Sequence, residues 1–148
     1  MSVKYLNEIE GERLVLKFTK FVPAIPEKQY VDCCHYDICL KDGTVVGTIS
    51  AKLGFNESVF FIGNIGYSVN EEYRGNGYAG EAVNIIKVLF KNNGFDKVII
   101  TQHPDNLASR RVCEKLNAKF LGVFELPIGH ERREKYNEKY MNVWELAI

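Results

Sequence analysis

The sequence lacks most of the features that mark specialised protein classes. Lysine plus arginine equals aspartate plus glutamate, at 19 each, so the basic excess of a dedicated nucleic-acid binder is missing. No apolar run approaches a membrane span, and the N-terminal stretch lacks the apolar core of a signal peptide. The four cysteines show no C-x-x-C spacing, which predicts free thiols in a reducing cytoplasm and no metal site. We expect one globular domain, residues 1–148.

The first half of the chain predicts a meander of antiparallel strands. A strand in RLVLKF (13–18) precedes a short helix that Pro26 starts. Alternation between residues 33 and 40 is typical of a half-buried strand. The turn KDG leads into a strand in TVVGTISAKL, and a second turn in FNES leads into a strand in VFFIGNIGYSV.

The second half changes to a helical period. Apolar residues recur at helical spacing from 79 to 90, and Gly94 ends that helix. KVIITQ predicts a strand covered on both faces, followed by a helix that Asp105 or Asn106 caps. The residues of this second helix predicted to point inward are Ala108, Val112 and Leu116. Strands in KFLGVFEL and MNVWELAI flank a charged loop or helical turn, which gives an α/β fold with a mixed sheet.

The stretch EEYRGNGYAGEAV (71–83) contains two overlapping phosphate-binding patterns. Gly75, Gly77 and Gly80 match the G-x-G-x-x-G of a dinucleotide-binding unit, which requires an acidic residue at the far end of the next strand. Asp96 lies before that strand, about 20 Å from the required place. Antiparallel strands upstream also conflict with a doubly wound sheet, so we reject a dinucleotide enzyme that binds NAD.

The second pattern is R-x-x-G-x-A, formed by Arg74, Gly77 and Ala79. Glycines here let the backbone turn tightly and approach a ligand closely. The helix that follows directs its amides and the positive end of its dipole at the same place, which suits a pyrophosphate. Arg74 adds a charge-assisted contact. A plain strand-to-helix turn explains the loop alone equally well.

Three stretches in register resemble one known family: NIGYSVNEEYRGNGYAGEAV, VIITQHPDNLASRRVCEKLNAKFLG and YMNVWELAI. The chain resembles the GNAT superfamily of acyl-CoA-dependent N-acyltransferases, and within it the branch of ribosomal-protein N-terminal acetyltransferases. The resemblance implies a mostly antiparallel sheet of about seven strands with helices on both faces, splayed between the fourth and fifth strands. It also implies direct transfer of an acetyl group from acetyl-CoA to a primary amine in a ternary complex.

The resemblance also implies where acetyl-CoA would bind. Amides at residues 67–69 would pair with the pantetheine arm and stabilise the oxyanion, with a bulge at Gly63 and Gly66 freeing backbone groups. Residues 74–80 would hold the pyrophosphate. The cofactor-binding residues are therefore expected to be Tyr67, Ser68, Val69, Arg74, Gly75, Asn76, Gly77, Tyr78, Ala79, Gly80, Asn106, Ser109 and Arg110.

The acid and the base are less clearly marked. Many relatives carry a tyrosine acid where this chain has Cys113, whose thiol could donate a proton to a leaving thiolate. His103 ends a strand beside the splay and could deprotonate the amine. Weaker candidates are His35, His130, Glu27 and Tyr140. The chain also departs from the family with Asn117 and Ala118 after the second helix, and asparagine should preserve the left-handed helix end.

The missing tyrosine keeps an alternative open, in which the chain is a catalytically silent acyl-CoA-binding module of the same fold. The amine acceptor is a protein N-terminus or a small molecule, in a pocket that loops 19–31 and 127–140 would frame. We expect no nucleic-acid or membrane partner, and a homodimer could form through the strand in NVWELAI if that strand lies at a sheet edge.

Overall fold

The computed structural model describes residues 3–148, which form eight strands, four α-helices and two short 3-10 turns. The strands are β1 (Glu8–Glu10), β2 (Leu14–Val22), β3 (Cys33–Leu40), β4 (Val45–Lys52), β5 (Ile65–Val69), β6 (Lys97–Gln102), β7 (Lys119–Glu125) and β8 (Tyr140–Ala147). The helices are α1 (Glu57–Ile62), α2 (Tyr78–Asn92), α3 (Leu107–Lys115) and α4 (Glu131–Tyr136), and the 3-10 turns span Pro26–Lys28 and Glu71–Tyr73.

The strands form two antiparallel sheets. The first has the order β1-β2-β3-β4-β5 and the second the order β6-β8-β7. Every pairing is antiparallel and most connections are local, as the alternation in the first half predicted. The structure has one strand more than the seven predicted, and the additional strand is the short β1. The mixed α/β fold class is therefore confirmed.

The two sheets meet between β5 and β6, which carry the predicted fourth and fifth strands. Asn64 joins them at one end, where its backbone N–H donates to Ile99 O (2.7 Å) and its Oδ1 accepts from Ile99 N (2.8 Å). Its Nδ2 donates to the carbonyls of Lys52 and Gly54, at 2.9 and 3.0 Å. Beyond Asn64 the strands share no ladder, so the predicted splay is confirmed.

Helices cover both faces of this assembly. The apolar stripe of α2 (Ala82, Val83, Ile86, Leu89 and Phe90) is buried against the first sheet. On the second sheet, α3 packs on the face of β6 that carries Gln102, whereas α1 contacts the other face, where Phe60 and Phe124 meet with ring centroids 5.0 Å apart. The hydrophobic core lies between α2 and the sheets.

The segment before β5 differs from the prediction. Residues 59–62 were expected to begin a strand, after a turn at 55–58, but residues 57–62 form α1, because Asn56 caps the helix by accepting from Val59 N at 2.9 Å. Gly63, with φ of +80°, ends this helix. The predicted bulge at Gly63 and Gly66 is wrong, since β4 and β5 pair without a register shift.

Two further predictions need correction. Strand β8 lies between β6 and β7, so NVWELAI is not an edge and cannot pair across a dimer. Of the three α3 residues predicted to point inward, Val112 and Leu116 are partly buried against the core, but Ala108 is exposed at the cavity. The fully buried residues of α3 are Ser109 and Cys113.

The predictions for the β3–β4 hairpin, the end of α3 and the cysteines are confirmed. Gly43 closes the β3–β4 hairpin with φ of +96° and donates to Leu40 O at 3.0 Å. Asn117 takes the left-handed conformation with φ of 58°, so α3 ends as expected despite the missing glycine. All four cysteines are free thiols. Within residues 3–148 no helix is both long and apolar enough to cross a membrane.

Candidate active site

A cavity of about 920 Å³ opens beside the splay, between β5, the loop before α2, and helices α2 and α3. Its lining residues are Tyr67, Ser68, Val69, Tyr73, Arg74, Gly75, Gly77, Tyr78, Ala79, Gly80, Glu81, Asn84, Lys87, Asn106, Ala108, Ser109, Arg111, Val112, Lys115 and Leu116. The volume is that of a site for a large small molecule.

The glycine loop has the geometry of an anion site. Gly75 and Gly77 have φ of +85° and +76°, a conformation that other residues adopt at a cost of about 1–2 kcal/mol. Gly77 is the N-cap of α2 and provides no side-chain cap, so the first amides of the helix remain available to a ligand. Arg74 is held beside the loop by its Nε, which donates to Val69 O at 2.9 Å.

Strand β5 offers further amides to the cavity. Lys52 N donates to Asn64 O and Asn70 N donates to Val46 O, so the even-numbered residues at both ends of this ladder face β4. Because hydrogen bonding alternates along an antiparallel strand, the N–H groups of Tyr67 and Val69 face the splay. No strand within residues 3–148 pairs with that edge of β5, which leaves these amides available for a ligand.

Charge in the cavity is mainly positive. Four cationic side chains line it: Arg74, Lys87, Arg111 and Lys115. The ion pairs found within residues 3–148 involve none of these four. The one acidic lining residue, Glu81, is paired with Arg13 at 2.6 Å. The cavity therefore suits a ligand that carries several phosphate charges.

A polar group borders the cavity at the splay. Tyr67 Oη lies 2.7 Å from Ser109 Oγ, and Gln102 Nε2 donates to the same Ser109 Oγ at 3.2 Å. Trp144 Nε1 donates to Gln102 Oε1 at 2.6 Å. Burial is the main cause that raises the pKa of Tyr67 to about 12, with the hydrogen bond from Ser109 opposing it.

The two predicted catalytic residues lie outside the cavity lining. Cys113 is fully buried, with its sulfur 3.6 Å from Gln102 Nε2, and burial raises the pKa of its thiol to about 11. His103 is half-exposed, and its Nδ1 accepts from Asp105 N at 3.2 Å. Their roles stay predictions, and the geometry favours neither.

The structure brings together most of the predicted cofactor residues. Tyr67–Val69, Gly77–Gly80, Arg74, Gly75, Asn106 and Ser109 line one cavity, whereas Asn76 and Arg110 do not. Asn106 also caps α3, accepting from Ser109 N at 3.1 Å. The chief omissions were Asn84, Lys87, Arg111, Val112 and Lys115. Helical spacing from Gly80 and from Ala108 would have found them, because i, i+3, i+4 and i+7 share a helix face.

A second, smaller cavity of about 410 Å³ is lined by Lys28, Gln29, Tyr30, Ser58, Gly129, His130 and Glu131. Its walls come from both loops predicted to frame the acceptor, and from α1. Tyr30 Oη donates to Glu131 Oε2 at 3.1 Å, and Ser58 Oγ lies 3.4 Å from His130 Nε2.

Residues 10–119 match the family profile described as an acetyltransferase (GNAT) domain. The chain belongs to the GNAT acetyltransferase family. A curated relative, the uncharacterized N-acetyltransferase YnaD of Bacillus subtilis, is 30% identical over 105 residues, which are 68% of this chain and 60% of YnaD. This GNAT chain thus spans under two thirds of the length of that relative.

Solved GNAT structures share the fold at lower identity. An acetyltransferase of Bacillus anthracis is 21% identical with a TM-score of 0.67, covering 95% of this chain and 98% of the other. The ribosomal L7/L12 alpha-N-protein acetyltransferase RimL, solved in complex with coenzyme A, is 18% identical with a TM-score of 0.57. That match covers 78% of this chain and 62% of RimL, and it extends the likeness to the ribosomal branch at the level of the fold.

Proposed function

We propose that this GNAT protein is an N-acetyltransferase that moves an acetyl group from acetyl-CoA to a primary amine by direct attack in a ternary complex. The observation that carries the proposal is the cationic cavity of about 920 Å³ that joins the glycine loop to the free amides of β5. The fold likeness to a coenzyme A complex supports it. One acetyltransferase domain, residues 1–148, would contain the whole site.

Each part of the cavity fits one part of acetyl-CoA. The amides that open α2, with Arg74, would bind the pyrophosphate. Lys87, Arg111 and Lys115 would attract the remaining phosphate charge. The gap-facing N–H groups of Tyr67 and Val69 would hydrogen-bond the pantetheine amides and the thioester carbonyl oxygen.

The chain's contribution to the reaction is then mainly positioning and charge stabilisation. Acetyl-CoA supplies an activated acyl carbon, and amides already aimed at the carbonyl oxygen stabilise the charge that develops there. The acceptor would be a protein N-terminus or a small-molecule amine. Its pocket would be the second cavity, where the Glu131 carboxylate would attract a cationic group.

Calorimetric titration with CoA, acetyl-CoA and NAD tests the cofactor assignment. We expect binding of the first two and none of NAD. Gly77→Trp should abolish CoA binding, because it would place an indole ring over the first turn of α2. Gly43→Trp is the matched control, since Gly43 also has positive φ and room for a side chain but lies in the β3–β4 hairpin. Unchanged CoA affinity in Gly77→Trp would refute the placement of the phosphates.

A thiol-release screen tests transfer itself. Acetyl-CoA would be incubated with protein N-terminal peptides, polyamines, amino acids and aminoglycosides, and free CoA measured. Release with at least one class supports the enzyme. Tight acetyl-CoA binding without release with any amine would favour the catalytically silent module, which the absence of a tyrosine at position 113 keeps open.

A further inference from the structure

A chain of three hydrogen bonds runs from the second sheet to the wall of the large cavity. Trp144 contacts Gln102 across the β6–β8 ladder, Gln102 contacts Ser109 on α3, and Ser109 contacts Tyr67 on β5. Gln102 is 4%, Trp144 7% and Ser109 9% exposed, so water competes little for these contacts. Tyr67 and Ser109 both line the cavity.

The indole sets the direction of this chain of hydrogen bonds. Trp144 Nε1 can only donate, which fixes Gln102 with Oε1 towards Trp144 and Nε2 towards Ser109. Ser109 Oγ therefore accepts from Gln102. The other side-chain partner of Ser109 Oγ is Tyr67 Oη. The hydroxyl proton of Ser109 therefore takes part in a side-chain hydrogen bond only when Ser109 donates to Tyr67. When Ser109 donates to Tyr67, Tyr67 keeps a free hydroxyl proton at the cavity wall.

We propose that Tyr67 donates this free hydrogen bond to the leaving sulfur of CoA, with Gln102, Ser109 and Trp144 as positioning residues. The inference rests on the proposed function, because it assumes that the cavity holds the thioester beside β5. It adds a role for the side chain of Tyr67 to the role of its backbone amide, and it gives this chain a donor in place of the buried Cys113.

The step balances without a further reactant. As the amine nitrogen forms its bond to the acyl carbon, the carbon–sulfur bond breaks and sulfur takes the bonding electron pair. The Tyr67 hydroxyl stabilises that charge through its hydrogen bond and keeps its own proton, consistent with a pKa raised to about 12. The nitrogen loses one proton to water, and the sulfur takes one proton from water.

Other hydroxyl groups in the cavity are worse placed for this contact. Tyr73 and Tyr78 flank the glycine loop, where the phosphates would lie. In the arrangement in which Ser109 donates, its proton goes to Tyr67. Ser68 lies on the opposite face of β5 from Tyr67, because successive side chains alternate. Tyr67 lies on β5 at the splay, and when Ser109 donates to it, its hydroxyl proton takes part in no other described hydrogen bond.

The test compares equilibrium binding of CoA and acetyl-CoA, so it needs no amine. If Tyr67 stabilises the thiolate, CoA should bind increasingly well relative to acetyl-CoA as the pH rises from about 7 to 9.5, across the usual thiol pKa of about 8.5. In Tyr67→Phe this gain should shrink about tenfold, equivalent to about one unit in the pKa of the bound thiol. Tyr36→Phe is the matched control: its hydroxyl is also buried, with a pKa raised to about 12, but donates to Leu6 O at 2.7 Å, away from the cavity.

The outcomes separate the two proposals. Failure of the wild-type chain to bind either ligand overturns the proposed function, and with it this inference. Binding with a CoA preference that ignores pH, or that Tyr67→Phe leaves intact, overturns the role of Tyr67 alone. If Ser109→Ala abolishes the pH-dependent gain while Tyr67→Phe retains it, then Ser109 contacts the sulfur and Tyr67 does not. A gain lost in Tyr67→Phe, reduced in Ser109→Ala and kept in Tyr36→Phe supports the proposal.

Discussion

Replacing Asn64 with alanine should weaken the fold and the cavity together. The side chain makes three hydrogen bonds, to Lys52 O, Gly54 O and Ile99 N, and is completely buried. Each bond contributes about 1 kcal/mol, and its loss leaves a backbone group without a partner, so we expect Asn64→Ala to cost about 3 kcal/mol. For a chain of this size that lowers Tm by about 10 °C.

Asn93→Ala is the matched control. Asn93 also makes three side-chain hydrogen bonds, two with Lys4 and one with Leu89 O, but at the solvent-accessible end of α2. Water can replace its partners, so we expect a cost of about 1 kcal/mol. Urea unfolding followed by circular dichroism gives the free energy of unfolding of both variants. Asn64 lies at the end of the gap where β5 and β6 are joined, so calorimetry with CoA should show weaker binding for Asn64→Ala alone.

Two results would refute this reasoning. Equal destabilisation by the two substitutions would mean that burial does not determine the value of these hydrogen bonds. Normal CoA affinity in a folded Asn64→Ala variant would mean that Asn64 does not set the geometry of the gap between β5 and β6.

Three further predictions follow from single features. Gly80→Ala should raise Tm by about 2–4 °C, because Gly80 is helical and an added methyl group would have no atom within 4 Å. Gly94→Ala should lower Tm, because Gly94 has φ of +85°. Thermal melts of the two variants and the wild-type chain test both expectations. Burial raises the pKa of the Cys34 and Cys113 thiols from 9.0 to about 11. Between these pH values the folded chain retains protons that the unfolded chain releases, so the stability to urea should fall as the pH rises from about 9 to 11. Cys113→Ala and His103→Ala should retain the turnover and pH profile of the wild-type enzyme, since neither residue lines the cavity; a loss above about tenfold in either would restore its general acid–base role.

Local patterns predicted the regular elements well. The alternation in β3, the apolar period of α2 and the left-handed cap at Asn117 each depend on near neighbours in sequence, which a single sequence displays. The segment that forms α1 misled the prediction, because its aromatic and β-branched residues also suit a strand. The cap at Asn56 was the missed signal.

The cavity residues that were predicted are those that a motif marked. Val112 and Leu116 of α3 contact both the core and the cavity, so apolar spacing did not single out the most buried residues, Ser109 and Cys113. The contact of Gln102 with Trp144 joins residues 42 apart in sequence, and no local pattern indicates such a pairing. Neither residue was therefore assigned a part in the site.

The unpaired edge of β5 also links the stability of the chain to its surroundings. A ligand that bonds to the amides of Tyr67 and Val69 occupies the position of an absent strand, and the folded state alone can offer that edge. A ligand present at 100 times its Kd adds about 2.7 kcal/mol to the free energy of unfolding. We therefore expect the supply of acetyl-CoA and CoA to govern how long each copy of this protein survives heat or proteolysis, as well as how fast it works.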